Sequence, residues 1–288
     1  MRDSSDSVTY VQITTVCNAQ CTMCDSWQLP KCHMPLLEVL KHLDDVSQTD
    51  PGSEVRLTGG EPCLHPNYQE IVNGAKERSL SISIITNGSL FQKPLEPGEL
   101  FRIFLSIDSP RKEDQVHIRK RIIDENLIPQ EELIIANVIL SSLNKAVAVR
   151  IPEWLNQNGV RIINLIPMKS SNLMLMRSEL SDLISQVLSE CSSHGITHFV
   201  EGKDVRGVDP GLVRQALMLE NFLKTCEIKK VIRFIDVNGT KHHCNSVSHR
   251  GGSHPVTSGL CSDCPTYING FCDFSNTIYN FLNGGSVQ

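Results

Sequence analysis

The chain has 288 residues, of which 40% are hydrophobic and 20% are charged, a composition typical of a globular protein with one large core and at most a small appendage. Its net charge of −5 at pH 7 argues against a nucleic-acid partner, because phosphate binding needs a concentrated basic surface. No secretory signal and no apolar run long enough to span a membrane occurs, so we expect a cytoplasmic protein without a membrane partner.

The first predicted strand, Val8 to Val16, is followed at once by three cysteines, Cys17, Cys21 and Cys24. Three thiolates so close together can hold three corners of an iron–sulfur cube and leave the fourth iron free for a ligand that is not protein. The alternative is a structural zinc site in which Cys32 or His33 supplies the fourth ligand. The C-x3-C-x2-C spacing suits paired zinc knuckles poorly and favours the cluster.

The second predicted strand, Glu54 to Thr58, ends in a Gly59-Gly60-Glu61-Pro62 segment. Glycines at a strand end let the backbone approach a ligand closely, and Glu61 offers an anionic acceptor for an ammonium group. Alone, such a segment is usually only a turn. Its position one strand after the cysteine triplet indicates a binding site.

These two motifs resemble those of the radical S-adenosylmethionine (SAM) superfamily, whose signature is a cysteine triplet in the loop after the first barrel strand. The resemblance implies a 4Fe-4S cluster on Cys17, Cys21 and Cys24 whose open iron takes the amino and carboxylate groups of SAM, with Gly59, Gly60 and Glu61 gripping the amino group. It also implies that an electron from a flavodoxin or ferredoxin-type donor cleaves SAM to a 5′-deoxyadenosyl radical, which abstracts a hydrogen atom from a small-molecule substrate.

Further along the chain, short β-rich runs alternate with helical patterns, which predicts βαβ units and a parallel sheet. The other predicted strands are Ser81 to Thr86, Arg102 to Asp108, Leu133 to Leu140 and Arg161 to Met168. The predicted helices lie near residues 35–48, 66–78, 112–126, 144–158 and 177–191. Six strands fit an open barrel better than a closed one of eight, and the resemblance likewise implies a partial (β/α)6 TIM-like barrel.

Polar residues gather where these strands end, as is typical of α/β sites. In the family, side chains at such positions bind the ribose and carboxylate of SAM, which makes candidates of Asn87, Ser106, Asp108 and Asn137. Met23 stands where the family usually has an aromatic residue near the adenine, so its backbone is the expected contact there. Leu165 on the sixth strand offers the purine an apolar wall.

A polar cluster at residues 203–211 suggests a domain boundary, which divides the chain into 1–205 and 206–288. Beyond it, Val231 to Val237, Asn238-Gly239 and Thr240 to His243 predict a β-hairpin with a two-residue turn. The hairpin would bring Cys226 near Cys244, and Cys261-x2-Cys264 adds a second pair. Four such thiolates can hold either zinc or a four-iron cluster, and the spacing does not choose between them.

This C-terminal pattern resembles the twitch domain, the smaller relative of the SPASM domain, of radical SAM dehydrogenases. The resemblance implies one auxiliary 4Fe-4S cluster on Cys226, Cys244, Cys261 and Cys264, with Cys272 spare or substituting. The implied reaction is oxidation of an alcohol of a small, polar, sugar- or aminocyclitol-like metabolite to a ketone, with the auxiliary cluster as electron acceptor. Arg150 and Lys169 are the candidate bases for the hydroxyl proton.

Two other reactions remain open at this stage. One is maturation of a ribosomal peptide by oxidation or cross-linking. The other is epimerisation, which would need a thiol hydrogen donor such as Cys63 or Cys272. No residue in the sequence names the substrate.

Overall fold

The structure is a computed structural model that describes residues 8–22, 24, 26–89, 102–110, 134–168, 173, 175–200, 203–204 and 232–242. These residues group into two compact units, one with residues 8–105 and 232–242 and the other with residues 106–110 and 134–204. The predicted boundary at 205/206 and the predicted helix near 112–126 lie outside the described residues.

The strands are numbered along the chain. They are β1 (Val8–Thr14), β2 (Glu54–Gly59), β3 (Ser81–Thr86), β4 (Arg102–Ser106), β5 (Ile134–Leu140), β6 (Ile162–Pro167), β7 (Thr197–Val200), β8 (Lys203–Asp204), β9 (Ile232–Ile235) and β10 (Lys241–His242). The described α-helices are α1 (Leu36–Thr49), α2 (Tyr68–Glu77), α3 (Ile151–Gln157) and α4 (Arg177–Ser193). All six predicted strands are present, each within two residues of its predicted bounds.

The first unit contains a sheet in the order β10-β9-β1-β2-β3-β4. Its neighbouring strands run parallel, except for the antiparallel pair of β9 and β10. Helix α1 buries Val39, Leu43 and Val46, which recur at helical spacing and so lie on one face. Because β1, β2 and β3 are parallel neighbours, the segments that follow them emerge at the same edge of the sheet.

The predicted hairpin is present as β9 and β10, but its loop has three residues and not the predicted two. Asp236 pairs with Thr240 across Val237, Asn238 and Gly239, and the N–H of Gly239 donates to the carbonyl of Asp236 at 2.9 Å. Gly239 has a φ of +79°, which glycine adopts without strain. The Asp236 carboxylate accepts hydrogen bonds from the backbone N–H groups of Asn238 and Thr240, both at 2.9 Å. No pattern in the sequence indicated that β9 would pair in parallel with β1 and extend the sheet beyond its first strand.

The second unit contains the strand order β5-β6-β7-β8, with β5, β6 and β7 parallel and β8 antiparallel to β7. Helix α4 buries the apolar stripe predicted for it, which consists of Leu180, Leu183, Ile184, Val187, Leu188 and Cys191. Helix α3 begins at Ile151, later than the predicted 144, because a turn and a short 3-10 segment precede it. Within the residues described, no helix is both long and apolar enough to cross a bilayer.

Candidate active site

The cysteine triplet lies in the loop directly after β1. Cys17, Cys21 and Cys24 form no disulfide, and all three are neither fully buried nor fully exposed. The backbone N–H of Cys24 donates to the carbonyl of Cys21 at 3.2 Å, and the indole N–H of Trp27 donates to the same carbonyl at 3.3 Å. Three thiols on one loop are the donor chemistry that a four-iron cluster with one open iron requires.

Both residues of the zinc alternative contact threonine hydroxyls, and Cys32 Sγ lies 3.4 Å from that of Thr15. The carbonyl of Cys32 accepts hydrogen bonds from the N–H of Thr15 at 2.9 Å and from the hydroxyl of Thr14 at 3.1 Å. His33 Nδ1 lies 2.9 Å from that same hydroxyl. In the described part of the chain, no three His, Cys, Asp or Glu side chains converge on a single-ion site. The thiols of a cube bind different irons, so they stand further apart than the ligands of one zinc ion.

Gly59, which ends β2, and Gly60 lie against the backbone that leads into the cysteine loop. The N–H of Gly60 donates to the carbonyl of Thr14, and the N–H of Glu61 donates to that of Val16, both at 2.8 Å. A Cβ added to Gly59 would lie 2.1 Å from the carbonyl oxygen of Thr14, and one added to Gly60 would lie 2.2 Å from that of Val16. The glycines were predicted to allow close approach to a ligand, and the structure shows that they allow close approach to the backbone of Thr14 and Val16.

The Glu61 side chain is 0% exposed. Its Oε1 accepts from the hydroxyl of Thr86 at 2.8 Å and from the N–H of Cys63 at 3.3 Å, and its Oε2 accepts from the N–H of Asn87 at 2.8 Å. Burial raises the pKa of this carboxyl, and the three donors oppose that rise. The Cys63 thiol also lies within hydrogen-bond reach of this carboxylate.

Asn87 connects the end of β3 with the cysteine loop. Its side-chain oxygen accepts from the N–H of Ser89 at 2.9 Å, and its amide nitrogen donates to Asn18 Oδ1 at 3.0 Å. The same nitrogen lies 4.0 Å from Cys17 Sγ. Burial raises the pKa of the Cys17 thiol, with a further contribution from the charge of Glu61. Metal binding would displace the thiol proton.

The remaining described candidates lie in the second unit. Ser106 ends β4 and is half-buried, whereas Asp108 just beyond it is fully buried. The Asn137 side chain accepts a hydrogen bond from Asn164 Nδ2 at 3.0 Å on the paired strand β6. Because side chains alternate along a strand, Leu165 points to the opposite face from Asn164 and hence from Asn137. Asn137 and Leu165 therefore do not line the same face of the sheet.

Arg150 is exposed at the start of α3. The other predicted site residues lie outside the described residues, and they are Met23, Lys169, Cys226, Cys244, Cys261 and Cys264.

Sequence reasoning missed Asn144, a fully buried residue that links Asp108 to the end of β5 within the second unit. Its amide nitrogen donates to the carbonyl of Asp108 at 3.1 Å and to that of Ile139 at 2.8 Å, while its oxygen accepts from the N–H of Ser141 at 2.9 Å. A lone asparagine after a strand usually indicates only a turn, so nothing in the sequence marked it.

Comparison with curated proteins finds relatives whose names state an activity. The chain is 35% identical over 104 residues to an S-adenosylmethionine-dependent nucleotide dehydratase of Selenomonas ruminantium, a match covering 34% of this chain and 38% of that protein. It is 24% identical over 261 residues to a probable GTP 3′,8-cyclase of Methanocaldococcus jannaschii, covering 76% of this chain and 84% of that one. The first of these matches spans well under half of the relative's length.

Among solved structures, Streptococcus suis SuiB bound to S-adenosylmethionine superposes with a TM-score of 0.66, covering 92% of this chain and 66% of that one at 11% identity. At that identity the likeness shows a shared fold. The family model described as the radical SAM superfamily matches residues 11–167, more than half of the chain and the whole of the site assembled from β1 to β3. The chain therefore belongs to the radical SAM superfamily.

Proposed function

We propose that this enzyme oxidises an alcohol of a small, polar, sugar- or aminocyclitol-like metabolite to a ketone. The observation that carries the proposal is the docking of the Glu61 segment onto the cysteine loop, with the hydrogen bond from the N–H of Glu61 to the carbonyl of Val16 at 2.8 Å. This contact brings the backbone at Glu61 beside the loop of Cys17 and supports SAM binding there. The choice of alcohol oxidation rests on the resemblance of the C-terminal cysteines to a twitch domain. Radical SAM enzymes use SAM and a 4Fe-4S cluster. When both are bound, they would supply the adenosyl radical that removes a substrate hydrogen atom.

Each site residue of the first unit has a defined role in the proposed reaction. Cys17, Cys21 and Cys24 are proposed to hold the cluster, and the Glu61 carboxylate is proposed to receive the SAM amino group. Thr86 and the backbone of Asn87 keep the carboxylate oriented by donating to it at 2.8 Å each. Burial of this carboxylate strengthens its attraction for an ammonium group, because little water competes.

In the second unit, Ser106, Asp108 and Asn137 are proposed to bind the ribose and carboxylate of SAM. Met23 is proposed to contact the adenine, whereas Leu165 is left out of this set because its side chain lies on the opposite face of the sheet from Asn137. Asn144 supports this set because it holds the Asp108 backbone with a hydrogen bond of 3.1 Å.

The C-terminal cysteines complete the oxidation in this proposal. Converting a carbinol to a ketone removes two electrons and two protons. One hydrogen atom leaves from the carbinol carbon to the SAM-derived adenosyl group. The hydroxyl proton goes to a base, and the second electron goes to an auxiliary cluster on Cys226, Cys244, Cys261 and Cys264. Lys169 is the better of the two candidate bases, because the guanidinium of Arg150 cannot be deprotonated in a protein.

A nucleotide is the second candidate substrate. The relatives from Selenomonas ruminantium and Methanocaldococcus jannaschii carry names that refer to a nucleotide and to GTP. A nucleotide ribose also offers secondary alcohols, so the same oxidation is chemically possible on it. The likeness to SuiB is one of fold and does not select a peptide substrate over either metabolite.

The proposal is tested by anaerobic reconstitution with iron and sulfide, reduction with dithionite, and incubation with SAM and alcohols deuterated at the carbinol carbon. We expect 5′-deoxyadenosine that carries deuterium and about one ketone per SAM consumed. Cys21→Ala serves as the control and should give neither product. If 5′-deoxyadenosine is released but a hydrogen atom returns to the substrate and no ketone forms, the reaction is an epimerisation and not an oxidation. A chain that binds zinc and leaves SAM intact would overturn the proposal altogether.

A further inference from the structure

We propose that Asn87 is a positioning residue for the cluster, whose side-chain N–H group donates to Cys17 Sγ and raises the cluster's reduction potential. This inference deepens the proposed function, because it assumes that Cys17 is a cluster ligand. The relevant distance from Asn87 Nδ2 to Cys17 Sγ is 4.0 Å, at the outer limit for an N–H···S hydrogen bond. Sequence reasoning had placed Asn87 at the SAM ribose and carboxylate instead.

The orientation of the Asn87 amide follows from its neighbours. The backbone N–H of Ser89 lies 2.9 Å from one end of the amide and can only donate, so that end is the oxygen. The other end is therefore the nitrogen, and it faces Asn18 Oδ1 at 3.0 Å and the sulfur of Cys17. The donor, not the acceptor, points at the cysteine.

The surrounding contacts hold Asn87 in this position. Its backbone N–H is fixed to Glu61 Oε2 at 2.8 Å, and the next residue, Gly88, donates to the Thr86 hydroxyl at 3.0 Å. Gly88 has a φ of +72°, which turns the chain sharply after the strand. One residue thus touches both the carboxylate proposed for the SAM amino group and the first proposed cluster ligand.

A donor aimed at a ligating sulfur stabilises the more negative, reduced form of an iron–sulfur cluster. Hydrogen bonds to the sulfurs are among the features that set cluster potentials. The N–H of Ala19 also donates to Cys17 Sγ at 3.4 Å, but this backbone donor stays in place when side chains are changed. Removing the Asn87 amide should therefore make the cluster harder to reduce without removing it.

The test is a redox titration of the reconstituted full-length protein, read from the electron paramagnetic resonance signal that SAM perturbs. That choice separates the cluster on Cys17 from any auxiliary cluster. Asn87→Ala and Asn87→Leu both remove the donor, and Leu keeps the number and branching of the side-chain heavy atoms. Ser89→Ala is the matched control, since it removes hydroxyl contacts to Asn18 at 2.9 and 3.2 Å but leaves the Asn87 amide facing Cys17.

We expect both Asn87 variants to retain the iron content of the unchanged protein and to shift the midpoint potential to more negative values. The potential of Ser89→Ala should stay where it is. Unchanged potentials in the Asn87 variants, or an equal shift in Ser89→Ala, would overturn this inference alone if the unchanged protein cleaves SAM. If the unchanged protein assembles no such cluster, the proposed function fails and takes this inference with it.

Discussion

Glu54 begins strand β2 and pairs with two arginines of the first unit. Its Oε1 lies 2.7 Å from Arg56 Nε, and its Oε2 lies 3.2 Å from Arg102 Nη1. The Arg56 guanidinium also lies 4.2 Å from the centre of the Phe104 ring and donates to the Tyr10 hydroxyl at 2.9 Å. Burial alone would raise the pKa of Glu54, but the hydrogen bond and charge of Arg56, together with Arg102, hold it below its ordinary value.

Glu54→Gln should lower the free energy of unfolding by about 2–3 kcal/mol at pH 7, because it leaves a largely buried arginine without its anion. The folded-state pKa of Glu54 lies below the ordinary value of 4.5. Its stabilisation is therefore present above pH 4.5 and disappears as the pH falls through the lower folded-state value. Urea unfolding of the metal-free protein at a series of pH values measures the difference between the two proteins.

Glu70→Gln, on the exposed surface of α2, is the control for Glu54→Gln and should change stability by less than about 0.5 kcal/mol. An equal loss in both variants, or a Glu54→Gln difference that does not depend on pH, would contradict the assignment of the buried ion pair.

At single positions the sequence predicted residue types well and their partners poorly. Glu61 was identified from its motif, yet its carboxylate accepts hydrogen bonds from Thr86 and Asn87, which lie at the end of a different strand. Asn87 was predicted to lie at this edge of the sheet, whereas the direction of its side chain follows from Ser89 and Asn18. Such pairings depend on how the loops pack, and no spacing in one chain encodes them.

Among the elements, the end of β2 and the start of the cysteine loop form one packed unit. The register of β1 and β2 shifts between Gln12 and Thr14, and Gly59 pairs with Thr14. Gly60 continues this contact by donating to the carbonyl of Thr14 at 2.8 Å. The position of the Glu61 carboxylate relative to the cysteines therefore depends on the absence of a side chain at Gly60.

Gly60→Ala should destabilise the first unit by about 2 kcal/mol or more, because its Cβ would meet backbone atoms that cannot rotate away. The nearest would be the carbonyl oxygen of Val16 at 2.2 Å. Gly52→Ala is the control: its φ of +80° imposes backbone strain, but nothing lies within 4 Å of the added Cβ. The midpoint temperature of thermal unfolding and the yield of reconstituted cluster should both fall further for Gly60→Ala than for Gly52→Ala. A larger loss for Gly52→Ala would show that backbone strain, not this contact, dominates.

Long elements were predictable because their hydrophobic periodicity is strong, as the buried stripe of α4 shows. Strand β7 was missed because it has only four residues, too few for a periodic pattern to stand out. The late start of α3 has a local cause: Asn144 accepts from the N–H of Ser141 at 2.9 Å and holds a turn where a helix was predicted. Side-chain to backbone hydrogen bonds of this kind compete directly with helix formation.

For the whole molecule, the proposal assigns two sets of cysteines to two separable steps. Cys17, Cys21 and Cys24 serve SAM cleavage, whereas Cys226, Cys244, Cys261 and Cys264 serve removal of the second electron. Cys191 belongs to neither set, since it is buried at 0% exposure on α4, where burial raises its pKa to about 12. Its substitution by alanine is therefore a control for the general effect of losing a cysteine.

The unchanged protein should bind about eight irons after reconstitution, and Cys191→Ala should match it. Joint replacement of Cys17, Cys21 and Cys24 by alanine should leave about four irons and abolish 5′-deoxyadenosine. Replacement of Cys261 and Cys264 should also leave about four irons but retain SAM cleavage while losing the ketone, because the substrate radical then has no electron acceptor. Iron analysis and chromatography of both products measure these outcomes. Full iron content in the Cys261/Cys264 variant would show that these two cysteines hold no auxiliary cluster, and undiminished ketone would show that such a cluster is not the electron acceptor.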